Sequence, residues 1–252
     1  MPMEFVREFA LSAGMVDFTG RWRPRAILES MQDLATAHSE DLGVGRALML
    51  ERDIIWILSR THLQMQEYPL MDEEVRIRTW PGVASRFFFP RYFVLERPDG
   101  RKLGSAAQLW LLLDVSARSV IPPAKAGIAF PDTARLPAPL PAPDRVMRVE
   151  AGRRFERARA AAYTDLDVNG HVNNARYADW ACDLLPLEVL RTHCVENLLL
   201  NYTKEVLPGP PIRCALTLAE PRFSLLGESD DGAQTYFEVG GTLAPWSTDR
   251  RV

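Results

Sequence analysis

The chain has 252 residues, 47% of them hydrophobic and 25% charged, a balance that buries a core and excludes disordered, collagen-like and coiled-coil architectures. Thirty basic side chains against 33 acidic ones leave a net charge of −3, which excludes a general nucleic-acid or membrane-surface binder.

The chain opens Met1-Pro2-Met3-Glu4-Phe5, without the basic, apolar and small-residue pattern of a signal segment. Pro24 is placed to start a helix, and Ile27, Met31, Leu34, Ala35 and Leu42 follow at helical spacing. Strand-like runs come next, over Ile54 to Gln66, Glu74 to Trp80, Phe87 to Glu96 and Ala106 to Val115, with Pro98-Asp99-Gly100 as hairpin chemistry between the last two. The last run contains the longest apolar stretch, Ala106 to Leu113, which Gln108 interrupts and which is too short to span a bilayer. A helix followed by strands joined by tight turns predicts an α+β fold, an antiparallel sheet packed on the helix.

Leu136 to Pro143 alternates proline with leucine and alanine, which favours an extended segment. It predicts a connector over 136–148 between an N-terminal domain over 1–135 and a C-terminal domain over 149–252. The second half repeats the plan of the first, with a strand over Phe155 to Tyr163 and a helix over Asn174 to Leu185. Strands follow over Glu196 to Val206, Ile212 to Ala219 and Gln234 to Leu243. An offset of 150 aligns Asp17 with Asp167, Gly20 with Gly170, Asp33 with Asp183 and Leu34 with Leu184, and an offset of 139 aligns Gln66-Glu67-Tyr68-Pro69 with Glu205-Val206-Leu207-Pro208. Under this alignment Thr19 faces Asn169, Arg21 faces His171 and Gln66 faces Glu205, so only the second half carries a set of groups suited to proton chemistry.

The cysteines, Cys182, Cys194 and Cys214, form no C-x-x-C pair. Neither a disulfide framework nor a structural zinc site is expected, and a reducing, cytoplasmic compartment is. The stretch Asp165-Leu166-Asp167-Val168-Asn169-Gly170-His171-Val172-Asn173-Asn174 holds the chemistry. In an extended chain Asp167, Asn169 and His171 project to one side, Gly170 permits a turn, and Asn173 or Asn174 is a good N-cap for the next helix, with Tyr177, Ala181, Leu184 and Leu185 as its buried stripe. A helix start offers amide donors to a carbonyl oxygen, while carboxylate, amide and imidazole can manage water and protons. Read as an isolated string, the same residues also describe a capped turn with a satisfied histidine.

The run Asp165 to Trp180, DLDVNGHVNNARYADW, resembles the signature of the acyl-acyl-carrier-protein thioesterases of plants and bacteria. The resemblance extends to Trp56-Ile57-Leu58-Ser59-Arg60, Tyr68-Pro69, Thr79-Trp80 and the strand Leu198 to Pro208, LLLNYTKEVLP, and so covers most of the chain in order. It implies two hotdog domains in tandem, each a sheet around a central helix. It implies hydrolysis of an acyl thioester on the acyl carrier protein, ending fatty-acid elongation, with Asp167, Asn169, His171 and Glu205 as catalytic groups and Asn173 and Asn174 beside the substrate. Many plant members have cysteine directly after the glutamate, where this chain has Val206. Attack by water or by a carboxylate, without a thiol, is therefore expected. The thiol leaving group departs easily, so forming the oxyanion is the demanding step; its oxygen is assigned to the amides that follow His171, aided by Asn169.

Arg148, Arg153, Arg154 and Arg157 could dock an acidic carrier protein or could be a solvated strand face. Phe87-Phe88-Phe89 and Trp110-Leu111-Leu112-Leu113 could line an acyl tunnel in the first domain or form ordinary core. His38, His62 and His193 have no partners at ligand spacing and Asn169 is a poor transition-metal donor, so no metal and no cofactor are expected. No P-loop, G-x-S-x-G or G-x-G-x-x-G stretch occurs. The same fold with acyl-coenzyme A as substrate, or a non-catalytic acyl-binding module, are the competing functions. Such a tandem chain is expected to act as a monomer, its own pseudo-dimer, or to pair again as a homodimer, and the lack of a transit segment is read as bacterial.

Overall fold

A computed structural model describes residues 3–246; Met1 and Pro2, where the N-terminal reading begins, and residues 247–252 lie outside it. The chain resolves into two compact units that divide between Pro143 and Asp144, inside the proline-rich stretch, with residues 23–26 grouping with the second unit.

The first unit is a six-stranded antiparallel arrangement on one long helix. Its strands are β1 (Phe5–Ala10), β2 (Ile54–Met65), β3 (Glu74–Pro81), β4 (Phe89–Glu96), β5 (Lys102–Asp114) and β6 (Ser119–Ile121), and its helices are α1 (Pro24–Asp41), α2 (Arg46–Arg52) and α3 (Pro123–Ala126). The sheet order is β1-β3-β4-β5-β2, with β6 added to β5. The four strands expected from alternation are all present, and Pro98-Asp99-Gly100 turns between β4 and β5, closed by the Gly100 amide donating to the Arg97 carbonyl. β1, α2, β6 and α3 were not expected. β1 is an edge strand whose Val6, Arg7 and Glu8 are exposed, so its apolar pattern is too sparse to read alone.

The spacing in α1 has a simple cause. Ile27, Met31 and Leu34 are completely buried and Ala35 and Leu42 nearly so, which is the stripe a 3.6-residue period turns to one side. Truncating Met31 or Leu34 to alanine in such a site costs about 2–5 kcal/mol. Two polar groups on α1 also face the sheet: His38 stacks on Phe5 with ring centroids 5.8 Å apart, and the Arg91 guanidinium of β4 donates to His38 Nδ1 at 3.2 Å.

The second unit has strands β7 (Arg153–Arg159), β8 (His193–Tyr202), β9 (Ile212–Ala219), β10 (Arg222–Glu228) and β11 (Thr235–Pro245), in the antiparallel order β7-β9-β10-β11-β8. Its helices are α4 (Arg176–Cys182) and α5 (Leu187–Thr192). The single helix expected over 174–185 is corrected on two counts. It starts later, and a separate short helix follows because Pro186 opens a new turn with fixed φ. Tyr177 of α4 stacks on Phe237 of β11 at 4.1 Å, with Trp180 tilted on the same ring at 5.8 Å. β10, a further strand not expected, completes the sheet.

The stretch 136–148 has no regular structure, yet it is not a loose tether. Leu140, Pro143 and Val146 are buried, and Arg60 donates to the Pro143 carbonyl at 3.3 Å. Proline removes backbone donors, so such a segment can lie against a domain without leaving amides unpaired.

Candidate active site

The expected chemistry sits on a loop of the second unit that doubles back on itself. The Asp167 amide donates to the His171 carbonyl at 2.9 Å, and the Gly170 amide to the Asp167 carbonyl at 3.0 Å. Leu166 and Val172 form an isolated antiparallel bridge at the base of the turn. Gly170 holds φ +78, where a side chain would be strained, which is why glycine stands there. The extended arrangement expected for 165–171 is thus corrected. Asp167 and His171 meet because the turn folds back, while Asn169 sits exposed at its tip.

Asp167 is the hub. One carboxylate oxygen accepts the Asn169 amide at 2.8 Å; the other lies 3.5 Å from His171 Nδ1 and 3.5 Å from Asn169 Nδ2. These last two are long for hydrogen bonds, as catalytic contacts often are without substrate. His171 Nδ1 is equally 3.5 Å from the Val172 carbonyl, so both oxygens near it are acceptors.

Asp165, buried beneath the turn, anchors it. Its carboxylate accepts from Arg176 Nε at 2.9 Å and from the Ala162 amide at 3.0 Å, and its carbonyl accepts the Asn173 amide at 2.9 Å. Arg176 reaches on to Asp179 at 3.2 Å. Burial raises the Asp179 carboxyl above its ordinary range, against the opposing pull of Arg25, Arg176 and Arg23. Asp165 and Arg176 stand inside the signature run, and their ion pair ties the turn to α4, a contact that spacing alone did not reveal.

Glu205 approaches through the backbone. The Val172 amide donates to the Val206 carbonyl at 2.9 Å, which sets residues 205–206 against the base of the turn. The strand expected over Glu196 to Val206 ends at Tyr202 because the amides of Thr203 and Lys204 both donate to the Tyr236 carbonyl, a local break in the ladder. Glu205 therefore lies on a loop, exposed, in a groove of about 600 Å3 with Lys204, Leu207, Pro208, Asp230 and Tyr236.

Tyr177, read from the sequence only as core, joins these pieces. Burial pushes its phenol well above the ordinary value; a hydrogen bond with the Val206 backbone opposes this, and the charges of Asp167 and Glu205 add to the rise. It is thus a neutral group within electrostatic reach of both carboxylates. Its place in the signature run was the one available signal.

Two expectations about the helix start change. The Asn173 side-chain oxygen accepts the Ala175 amide at 2.9 Å and its carbonyl accepts the Arg176 amide at 2.9 Å. With the amides of Val172 and Asn173 also engaged, four of the donors after His171 are already used, so the oxyanion is not assigned to them. Neither asparagine is the N-cap: that place falls to Ala175, without a side-chain cap, because the helix proper begins only at Arg176 and the Asn173 side chain closes the turn ahead of it; the Asn174 carbonyl accepts from the Tyr202 hydroxyl at 3.4 Å. Val206, at the position of the cysteine of many plant members, is buried; Cys214 is fully buried, with burial pushing its thiol up to about 12, and Cys194 donates to the Ala244 carbonyl.

Of the arginines at 148–157, Arg148 pairs with Glu238 at 2.8 Å, Arg153 with Glu220 at 3.0 Å and Arg154 with Glu156 at 3.6 Å. Arg157 is exposed and has no carboxylate partner among the described residues. No group of three or more His, Cys, Asp or Glu side chains suited to a metal ion occurs among the described residues, nor any helix long and apolar enough to cross a membrane.

In the first unit a separate cavity of about 180 Å3 lies between α1 and the sheet, with Trp56, Phe89, Trp110 and Phe130 in its walls. Phe89 and Trp110 are thus the members of the two runs that line this cavity, whereas Leu112 is core and Phe87 is exposed.

Residues 2–125 match the model of the acyl-ACP thioesterase N-terminal domain and residues 152–240 that of the C-terminal domain. The chain belongs to the acyl-ACP thioesterase family. This acyl-ACP thioesterase family member is 25% identical to the chloroplastic dodecanoyl-[acyl-carrier-protein] hydrolase of Umbellularia californica, over 85% of the chain and 59% of that protein. It is 25% identical to the chloroplastic oleoyl-acyl carrier protein thioesterase 2 of Arabidopsis thaliana, over 71% of the chain and 53% of that protein. The chain therefore spans a little over half the length of these curated relatives. Among solved structures, an acyl-ACP thioesterase from Bacteroides thetaiotaomicron superposes with a TM-score of 0.83 at 24% identity, covering 96% of this chain and 98% of that one. A putative oleoyl thioesterase from Lactobacillus plantarum gives 0.82 at 20% identity, with 97% of each chain covered. These likenesses establish the α+β fold of two hotdog domains in tandem.

Proposed function

We propose that this family member hydrolyses the thioester between a fatty acyl chain and acyl carrier protein, releasing free acid and ending chain elongation. The observation that carries this reading is the turn that sets Asp167 Oδ2 3.5 Å from His171 Nδ1, with the Glu205 loop fastened to its base. In this scheme His171 Nε2 and the Glu205 carboxylate draw a proton from water, which adds to the thioester carbonyl. Asp167 fixes the imidazole and steadies its positive charge, and Asn169 Nδ2 donates to the developing oxyanion. Collapse of the intermediate breaks the C–S bond; the pantetheine sulfur leaves as thiolate and takes a proton, and the acyl group leaves as carboxylate. Asn173 and Asn174 border the same groups. The aromatic cavity of the first unit takes the acyl chain.

The printed names of the relatives, acyl-carrier-protein hydrolases and thioesterases, support a carrier-protein substrate. Carrier docking falls to the β7 edge, where Arg148, Arg153 and Arg154 already answer to carboxylates and Arg157 supplies the charge left over. Arg157→Glu is then expected to raise KM for acyl-ACP while leaving KM for the matching coenzyme A thioester unchanged; an equal change on both substrates places docking elsewhere. Substituting His171 and Glu205 separately by alanine should each lower thioester hydrolysis by about 10²–10⁴-fold, the share expected of general acid–base groups. Near-parental rates in both variants, with folding intact, refute the assignment. Parental hydrolysis confined to coenzyme A thioesters favours the coenzyme A reading instead.

A further inference from the structure

The cavity of the first unit contains a feature that an unadorned hydrocarbon chain does not require. Its aromatic wall is chemically quiet, because the Trp56 indole N–H is spent on the Val44 carbonyl at 3.1 Å and that of Trp110 on Gln108 Oε1 at 3.0 Å. The hydroxyls along α1 are spent too: Thr36 donates to the Gln32 carbonyl at 2.9 Å and Ser39 to the Ala35 carbonyl at 2.8 Å. The Glu40 carboxylate accepts the Arg46 amide at 2.8 Å.

Arg91 differs from all of these. It lines the same cavity and is 6% exposed. Its guanidinium contacts only neutral acceptors: His38 Nδ1 at 3.2 Å, Thr79 Oγ1 at 3.4 Å and Ser39 Oγ at 3.3 Å. No carboxylate among the described residues pairs with it. Burial pushes the guanidinium down to about 10, so it remains a cation at neutral pH. A guanidinium carries five N–H donors, and a buried cation without a counter-charge is costly unless an acceptor meets it. Three long contacts to neutral atoms leave that demand partly open, and they leave it open toward this aromatic-walled cavity.

We propose that this cavity selects an acyl chain bearing an oxygen, as hydroxyl, oxo or carboxylate, and that Arg91 is the specificity residue that donates to it. The inference rests on the acyl-thioester reading above and narrows its substrate class. A donor built into an apolar site favours the ligand that satisfies it over the isostere that does not, and a charged donor strengthens the bond. Because Arg91 is already part-satisfied, the expected discrimination is moderate, about tenfold rather than the much larger factors of a fully orphaned group.

The test uses the full chain and carrier-protein thioesters of one chain length: unsubstituted, 3-hydroxy, 3-oxo, ω-hydroxy and ω-carboxy. Wild-type kcat/KM is expected to be about tenfold or more higher for at least one oxygenated member than for the plain chain. Arg91→Met, which keeps bulk and removes the donor, is expected to abolish or reverse that order. Equal or better turnover of the plain chain by the wild type overturns the inference while leaving the thioesterase reading standing. If no thioester is cleaved, the thioesterase reading fails, and the cavity is judged by titration calorimetry with the corresponding free acids. Tighter binding of an oxygenated acid, lost in Arg91→Met, sustains the inference there; equal binding overturns it. Should Arg91→Met fail to fold, the wild-type series decides the matter alone.

Discussion

The loops at residues 16–22 and 166–172 are the same piece of backbone carrying different side chains. In the first, the Asp17 amide donates to the Arg21 carbonyl at 2.9 Å, Asp17 Oδ1 accepts the Thr19 amide at 2.7 Å, and Val16 bridges Trp22. In the second, Asp167 pairs with the His171 carbonyl at 2.9 Å, Asp167 Oδ1 accepts the Asn169 amide at 2.8 Å, and Leu166 bridges Val172. Gly20 and Gly170 hold φ of +71 and +78. Even the next contact repeats, with the Trp22 amide on the Pro69 carbonyl at 3.0 Å and the Val172 amide on the Val206 carbonyl at 2.9 Å. The turn is therefore a structural device that the fold uses twice. Aspartate and glycine build it, and the proposed chemistry rests on the exchange of Thr19 and Arg21 for Asn169 and His171. Asp17 and Asp167 also show that an aspartate in this pattern is no proof of catalysis.

That contrast can be broken in several places. The largest effect belongs to the imidazole: His171→Ala removes about 10²–10⁴-fold of the rate, whereas Arg21→Ala leaves hydrolysis unchanged, both read by release of free thiol. A comparable loss in Arg21→Ala would mean that the first loop shares in the chemistry. Next comes the anchor that the first loop lacks. Asp165→Asn removes the more buried of the two carboxylates on Arg176 and is expected to cost about 2–4 kcal/mol in urea unfolding, below the upper range for buried pairs because Asp179 still pairs with Arg176 at 3.2 Å. Loss of activity beyond that explained by unfolding would confirm that the pair positions the turn.

Smaller still, Gly20→Ala and Gly170→Ala should each destabilise by about 1–2 kcal/mol through the left-handed backbone they occupy. Only the second should lower kcat. The smallest effect concerns Cys214, whose thiol burial pushes from an ordinary 9.0 up to about 12. The folded state keeps this proton where the unfolded chain has lost it, so stability falls as pH rises above about 9. Cys214→Ala should flatten that part of the alkaline stability curve, and an unchanged slope would assign it to another group.

Much of this molecule was legible from residue order. The helix from Pro24 and the strands of the first half follow from periods of 3.6 and 2, which report burial on one side. The internal repeat was legible because Asp17, Gly20, Asp167 and Gly170 serve backbone geometry, and such residues are hard to replace. The strand β10, the edge strand β1 and the break at Pro186 were not read, since edge pairing and local breaks are decided by neighbours distant in sequence. The site was half legible: its residue types stood in the signature run, but an extended chain was the wrong geometry for them.

What the sequence determined by itself is the inventory: two similar halves, a turn coded by aspartate and glycine in each, and imidazole, amide and a distal glutamate in the second alone. Tertiary structure decided how that inventory is used. It folded the turn back so that Asp167 meets His171, fastened the Glu205 loop through Val172 and Val206, used four of the amides after His171 elsewhere, and buried Arg91 at an apolar cavity without a counter-charge. The Val172–Val206 contact joins residues far apart along the chain, the burial of Arg91 is created only by packing, and the local contacts of the turn depend on a backbone path that residue order did not reveal. None of them has a hydrophobic period, and so none can be read from the alternation of neighbouring letters.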